Sequence, residues 1–197
     1  MQYRELAVPG AWEITSQQHA DDRGLFFEWF KASEFEQAVG HPLDLQQANC
    51  SVSRKGVLRG IHYADVPPGQ AKYVTCMRGS VLDVVVDLRV GSPTFGAWDS
   101  VLLGGPEKRA IYIGEGLGHA FLSLEEGSAV LYLCSTSWSA GREHEVNPLD
   151  PAIGIDWPFD GDPILSAKDA AAPSLAEALD RGLLPDHRVV SDYLDSL

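Results

Sequence analysis

Between residues 81 and 89 the chain alternates. Leu82, Val84, Val86 and Leu88 fall on one face of an extended strand, and Asp83 and Asp87 fall on the other. Shorter β-type runs follow at Lys72–Met77, Ile111–Ile113 and Ala129–Cys134. Turn-forming clusters separate them: Pro67-Pro68-Gly69, Gly91-Ser92-Pro93, Gly104-Gly105-Pro106 and Glu126-Gly127-Ser128. Short strands punctuated in this way predict an all-β sandwich or barrel. Helical signals lie outside the stretch from Asn49 to Cys134. Ser33 with Glu36 reads as a capping box stopped by Gly40, and Ser174-Leu175-Ala176-Glu177 repeats the box with Gly182 as its stop. No repeat or linker divides the chain. The pattern predicts one unit over residues 1–197, ending in a helical segment over about 173–197.

Composition narrows the class. The 197 residues are 45% hydrophobic and 22% charged, enough apolar material for a real core, which excludes bulk disorder. No apolar run approaches the roughly 20 residues of a membrane span, and Met1-Gln2-Tyr3-Arg4-Glu5 does not read as a secretory signal. The expectation is a cytoplasmic protein with no membrane partner. Fifteen basic against 28 acidic residues leave a net charge of −13, which argues against nucleic acid as a partner. An anionic ligand would need the few cations gathered locally. Cys50, Cys76 and Cys134 are odd in number, lack CxxC spacing and sit among β-type residues, so they read as small buried hydrophobes.

Several polar residues fit a purely structural reading poorly. Arg59 and His62 stand close together beside Gly56 and Gly60. Lys72 shares strand parity with Val74 and Cys76, which places an ammonium on an inward face, and lysine is rarely buried without a partner. Tyr132 shares parity with Val130 and Cys134. His119 lies in the glycine-rich Gly116-Leu117-Gly118-His119, and Asp83 could orient its imidazole. Asp22-Arg23-Gly24-Leu25-Phe26-Phe27-Glu28 mixes charge with aromatics, as a hairpin entering a strand would. No His-x-His cluster suggests a metal site, no Gly-x-Gly-x-x-Gly unit a dinucleotide, and no Gly-x-Ser-x-Gly a nucleophile elbow. What remains is cofactor-free acid–base work by His, Tyr and Lys.

These segments resemble the dTDP-4-dehydrorhamnose 3,5-epimerase family and its relatives in antibiotic deoxysugar pathways. The resemblance runs in register from about residue 3 to about residue 185. It is carried by Asp22-Arg23-Gly24 with Phe27-Glu28, Gln47-Ala48-Asn49-Cys50-Ser51-Val52-Ser53, Gly56-Val57-Leu58-Arg59-Gly60-Ile61-His62 and Gln70-Ala71-Lys72-Tyr73-Val74. Further matches are Asp83–Arg89, Gly91-Ser92-Pro93-Thr94-Phe95-Gly96 and Gly118-His119-Ala120-Phe121. The resemblance implies a double-stranded β-helix, the cupin jelly roll, acting as a homodimer with no metal or organic cofactor. Its implied substrate is dTDP-4-keto-6-deoxyglucose, inverted at C3 and C5 to dTDP-4-keto-L-rhamnose, although some relatives invert C3 alone.

The resemblance also implies roles. His62 would be the base, paired with Asp169, while Tyr132 would donate a proton from the opposite face. Lys72 would stabilise the enolate oxygen. Arg23, Arg59 and Lys168 would meet the diphosphate and substrate, and Glu28, Gln47, Asn49 and Glu143 would make polar contacts to nucleotide or sugar. Phe26 belongs with the substrate-binding set, and His119 with Asp83 behind it would stand near the sugar. Trp138 takes the place of the tyrosine that stacks on thymine in many members. In Ser166-Ala167-Lys168-Asp169 an alanine replaces the usual first aspartate, so one nearby carboxylate is lost. The rival readings are a C3-only epimerase of a dTDP-4-keto-6-deoxyhexose, a cupin that binds sugar nucleotides without turnover, and a metal-dependent cupin oxygenase. The last needs a ligand cluster that the sequence lacks.

Overall fold

The computed structural model describes residues 1–159 and 161–196. Thirteen strands form among them: β1 (Gln2–Glu5), β2 (Ala11–Thr15), β3 (Gln18–Asp21), β4 (Gly24–Phe27), β5 (Gln47–Ser53), β6 (Leu58–Ala64) and β7 (Lys72–Arg78). They continue as β8 (Ser80–Asp87), β9 (Trp98–Gly104), β10 (Arg109–Ile113), β11 (Leu117–Ser123), β12 (Ser128–Cys134) and β13 (Glu143–Glu145). Four short helices are α1 (Ala32–Val39), α2 (Ala167–Ala170), α3 (Leu175–Asp180) and α4 (His187–Leu194). The strands build a six-stranded sheet in the order β1-β2-β10-β7-β12-β5 and a five-stranded sheet in the order β13-β6-β11-β8-β9. The ladders joining them are antiparallel, and the two sheets make the cupin jelly roll. A separate two-stranded ribbon, β3 with β4, has exposed residues along both strands and touches the body where Gln18 Nε2 donates to Pro106 O at 3.1 Å.

Apolar clusters cover both faces of the sheets. Between the sheets lie Val74, Val81, Val85, Leu103, Ile111, Phe121 and Val130. The outer face of the five-stranded sheet packs Leu58, Ile61, Val84, Val86 and Leu88 under Trp157, Leu175 and Ala178. The outer face of the six-stranded sheet is partly roofed by α1, whose Phe35 meets the Tyr112 ring edge-on with centroids 4.9 Å apart. The alternation in β8 therefore has a different meaning from that of a half-solvated strand. Leu82, Val84 and Val86 pack outward under the helices, whereas Asp83 and Asp87 are fully buried on the other parity, which Val81 and Val85 share. Asp87 is satisfied there by Arg89 at 2.8 and 2.9 Å and by Ser92 and Thr94, both at 2.6 Å. Asp83 has another role.

Two cap expectations divide. Ser174 and Glu177 form the full capping box, and α3 closes with Gly182 at φ +63°, its N–H bonded to Leu179 O and that of Leu183 to Ala178 O. Helix α1 stops at Gly40 in the left-handed region as expected. It starts earlier than the Ser33 box requires: Lys31 is the N-cap and no side chain caps the turn. Instead Glu34 accepts from the Met1 ammonium at 2.7 Å and pairs with Lys31 at 3.0 Å. Of the three free thiols, Cys76 and Cys134 are buried as expected. Cys50 is exposed, because β5 is an edge strand and its outer parity, with Ala48 and Val52, has no roof.

Candidate active site

One end of the space between the sheets is polar and open, a cavity of about 400 Å³. Strand parity explains most of its lining. On β5 every second residue points inward, which delivers Gln47, Asn49 and Ser51. On β7 and β12 the same rule turns Lys72 and Tyr132 inward, with Lys72 the cross-strand neighbour of Cys134. On β11 it gives His119 and Phe121.

Strand β6 breaks the rule. Arg59 and His62 are three residues apart, so a regular strand would send them to opposite faces, yet both line the cavity. Arg59 opposes Phe121 and His62 opposes His119, so Gly60 and Ile61 share the single position opposite Ala120. This bulge resets the parity. Gly60 makes it possible: its φ is +120°, and a Cβ there would lie 2.5 Å from that of Ala120. The Arg59 guanidinium is anchored through Nε to Ser53 Oγ at 3.2 Å.

The register sets His62 and His119 side by side, each backed by a carboxylate. His62 Nε2 donates to Asp169 Oδ1 at 2.7 Å. Asp169 comes from α2, which the Ser166 hydroxyl caps by accepting from the Asp169 N–H at 3.0 Å. A parallel bridge between Val57 and Ile164 docks this segment beside β6. Burial pushes the Asp169 carboxyl up, but the His62 bond and charge and the Ser166 bond outweigh it and hold the group below the ordinary carboxylate range. Asp169 is therefore an acceptor for the Nε2 proton, so in the neutral imidazole Nδ1 is the ring atom left with a lone pair. His119 Nε2 likewise donates to both Asp83 oxygens at 2.9 and 3.0 Å.

Lys72 is buried, and among the described residues its ammonium has no ion-pair or hydrogen-bond partner. Burial pulls its pKa down, while Glu143, Cys134 and Asp83 oppose that fall. Tyr132 is pushed above the ordinary tyrosine range, chiefly by burial and next by Cys134, so its hydroxyl stays protonated and able to donate. At the rim, Lys168 pairs with Glu145 at 2.8 Å, and Glu145 stands opposite His62 on β13. Trp138 also lines the rim and is 64% exposed. Among the described residues, no three His, Cys, Asp or Glu side chains are grouped to hold a metal ion.

The cavity thus brings together His62, Asp169, Tyr132, Lys72, Gln47, Asn49, Arg59, His119, Trp138, Glu143 and Lys168, with Asp83 directly behind His119. Arg23, Phe26 and Glu28 are not brought there within the chain. They lie on or beside the β3–β4 ribbon, where Arg23 pairs with its neighbour Asp21 and Phe26 is 65% exposed. Sequence reasoning misses Ser51, Gln70, Phe121, His144 and Ser166 as lining residues. Ser51 shares parity with Asn49, Phe121 shares it with His119, and Ser166 is a helix cap beside Asp169. Gln70 stands in the Gln70-Ala71-Lys72 segment that carries the resemblance without being given a role, and no pattern marks His144.

Known proteins resemble the chain over most of its length. The family model described as dTDP-4-dehydrorhamnose 3,5-epimerase matches residues 5–177. A dTDP-4-dehydrorhamnose 3,5-epimerase from Mycolicibacterium smegmatis is 57% identical over all of this chain and 97% of its own length. Among solved structures, the Mycobacterium tuberculosis rmlC epimerase superposes with a TM-score of 0.98 at 54% identity, covering 100% of this chain and 99% of that one. ChmJ, a 3'-monoepimerase from Streptomyces bikiniensis in complex with dTDP-quinovose, gives 0.94 at 49% identity, over 97% and 96%.

Proposed function

The chain belongs to the dTDP-4-dehydrorhamnose 3,5-epimerase family, and from that premise we propose that it inverts C3 and C5 of dTDP-4-keto-6-deoxyglucose to give dTDP-4-keto-L-rhamnose. One observation carries the reading. His62 stands on the five-stranded sheet and Tyr132 on the six-stranded sheet, so a base and a proton donor line one cavity from opposing walls. Inversion needs this arrangement: a proton leaves one face of a carbon and another arrives on the other.

The C4 ketone acidifies the C–H bonds at C3 and C5. His62 Nδ1 takes the proton, the C–H electron pair moves into the ring, and the C4 oxygen becomes an enolate. Asp169 stabilises the imidazolium that forms. Lys72, with His119 beside His62, faces the developing oxyanion in a site where low dielectric strengthens the interaction. Tyr132 then protonates the carbon from the other face. Its phenolate regains a proton from water and the imidazolium loses one, which restores the starting state. No redox change occurs, so the residues need no organic cofactor.

Anion binding follows from local charge. Although the net charge is −13, Arg59, Lys72 and Lys168 line the one cavity, suited to a diphosphate. Trp138 at the rim offers a π-surface for the thymine. The reading extends to a cytoplasmic protein and to a homodimer, the latter because Arg23, Phe26 and Glu28 do not reach the cavity of their own chain and a partner copy would present them to its neighbour's cavity.

Incubation with dTDP-4-keto-6-deoxyglucose in D₂O, followed by NMR, tests the reading. Deuterium at both C3 and C5 with an L-sugar product is expected. Inversion with label at C3 alone would make the protein a C3 epimerase, as ChmJ is described to be. No exchange at either carbon would leave a binding protein without turnover.

A further inference from the structure

Of the three cations that line the cavity, only Lys168 is paired with a carboxylate among the described residues. Its ammonium sits 2.8 Å from Glu145 Oε2. The two ends of the pair differ. The Lys168 side chain is 58% exposed, whereas that of Glu145 is 20% exposed and the paired oxygen is buried with no hydrogen bond to it. A flexible cation thus neutralises a fixed, partly buried anion.

Placement divides the pair further. On β13, Glu143 and His144 line the cavity and Glu145 does not, while Lys168 does. An ammonium seated on Glu145 is therefore turned to an oxygen outside the lining, and reaching a ligand inside means leaving it. The backbone does not depend on this contact. Ile164 is laddered to the start of β6, its N–H donating to Gly56 O at 2.8 Å and its carbonyl accepting from the Leu58 N–H at 3.0 Å. The Ser166 hydroxyl caps α2, and beyond the helix Pro173 O accepts from the Asn147 N–H at 2.8 Å. The pair can open while α2 keeps these supports and Asp169 keeps its place.

We propose that Lys168 exchanges partners, resting on Glu145 when the cavity is empty and moving to the diphosphate when it is filled, so that Glu145 lowers the affinity of the site by competing for this cation. The inference rests on the dTDP-sugar reading above. Its physical content is a cost, because binding leaves a buried carboxylate oxygen without its counter-charge. Glu145 then acts in the opposite sense to a ligand contact: its loss improves binding.

Calorimetric titration with dTDP at low salt tests the exchange. Glu145→Gln keeps the shape and removes the charge, and should tighten dTDP by about 5-fold, the scale of a partly exposed ion pair. Lys168→Met should weaken dTDP by about 10-fold, as for one hydrogen bond to a charged group. In the Lys168→Met background, Glu145→Gln should gain less than about 2-fold, because only its direct repulsion of the anion is left to remove. Equal gains in both backgrounds would mean that Glu145 acts through its field while Lys168 stays in place, and would overturn the exchange. So would weaker or unchanged binding in Glu145→Gln, the result expected of a ligand contact or of a tether for Lys168. Unchanged binding in Lys168→Met would overturn it as well, since the cation would then not reach the diphosphate. Glu145→Ser reads the same way if the glutamine amide makes bonds of its own. Failure of the unsubstituted protein to bind dTDP would instead remove the nucleotide reading on which the proposal stands.

Discussion

A buried lysine and a buried tyrosine answer pH in opposite directions, and the cavity holds one of each. Burial lowers the pKa of Lys72 and raises that of Tyr132. In the proposed mechanism the enolate needs the charged ammonium, so kcat should be retained at pH values below the lowered Lys72 pKa and fall as pH rises through it. That alkaline limb should lie below the ordinary lysine range. Tyr132 cannot be its source, because its own proton leaves above the ordinary tyrosine range. Lys72→Met should remove the limb and cost about 10²–10³-fold in kcat, the usual cost of losing an oxyanion donor. A kcat profile flat to about pH 10, near the ordinary lysine value, would sink the assignment. Tyr132→Phe makes a separate statement: His62 can still take and return a proton on its own face, so solvent exchange should persist while inversion is lost. Full inversion by Tyr132→Phe would remove Tyr132 from the mechanism. Both residues are legible in the sequence, because parity with Val74, Cys76 and Val130 is enough to place them on inward faces.

At the scale of elements, legibility fails where an element departs from its period. A two-residue period separates Arg59 from His62, and only the bulge at Gly60 and Ile61 reunites them. The sequence hint is the glycine, which does not announce what it will pack against. Asp169 is equally opaque to local reasoning: it lies 107 residues from His62 in the chain and arrives on a four-residue helix with no strong pattern. Family resemblance rather than periodicity singles it out. The Ser33 box misleads because the helix starts earlier, at an N-cap of Lys31 that no side chain caps. The bulge itself can be tested. Gly60→Ala must place a Cβ 2.5 Å from that of Ala120 and 2.6 Å from His119 O at a φ of +120°. Strain and overpacking together should cost about 2–5 kcal/mol of stability. Relief of the clash must move Ile61 or Ala120, which also displaces His62 from His119. Denaturant unfolding should show the loss, and kcat of the folded fraction should fall. A Gly60→Ala protein with unchanged unfolding midpoint and kcat would show that β6 has room that the geometry denies.

At the scale of the whole molecule, a ribbon that carries an arginine and an exposed phenylalanine stands clear of the cavity. Leu25 and Phe26 are 46% and 65% exposed, an apolar tip that water does not favour and that a second protein surface would cover. The cavity has three cations of its own, Arg59, Lys72 and Lys168, but Lys168 is shared with Glu145 and Lys72 is buried deep in the cavity. Arg23 supplied by a second copy would strengthen the diphosphate end on an otherwise acidic molecule. If two copies exchange ribbons, each site is composed of both chains, and inactive chains can repair one another. Take His62→Ala, which lacks the base, and Arg23→Ala, which lacks the ribbon cation. In a mixed dimer, one site combines both defects while the other joins an intact His62 cavity to an intact Arg23 ribbon. Random pairing of equal amounts makes half the dimers mixed, so unfolding and refolding the mixture should recover about a quarter of the unsubstituted activity. Each variant refolded alone should stay low. A mixture no more active than the sum of its parts would confine every site to a single chain, and Arg23, Phe26 and Glu28 would then have no part in binding substrate.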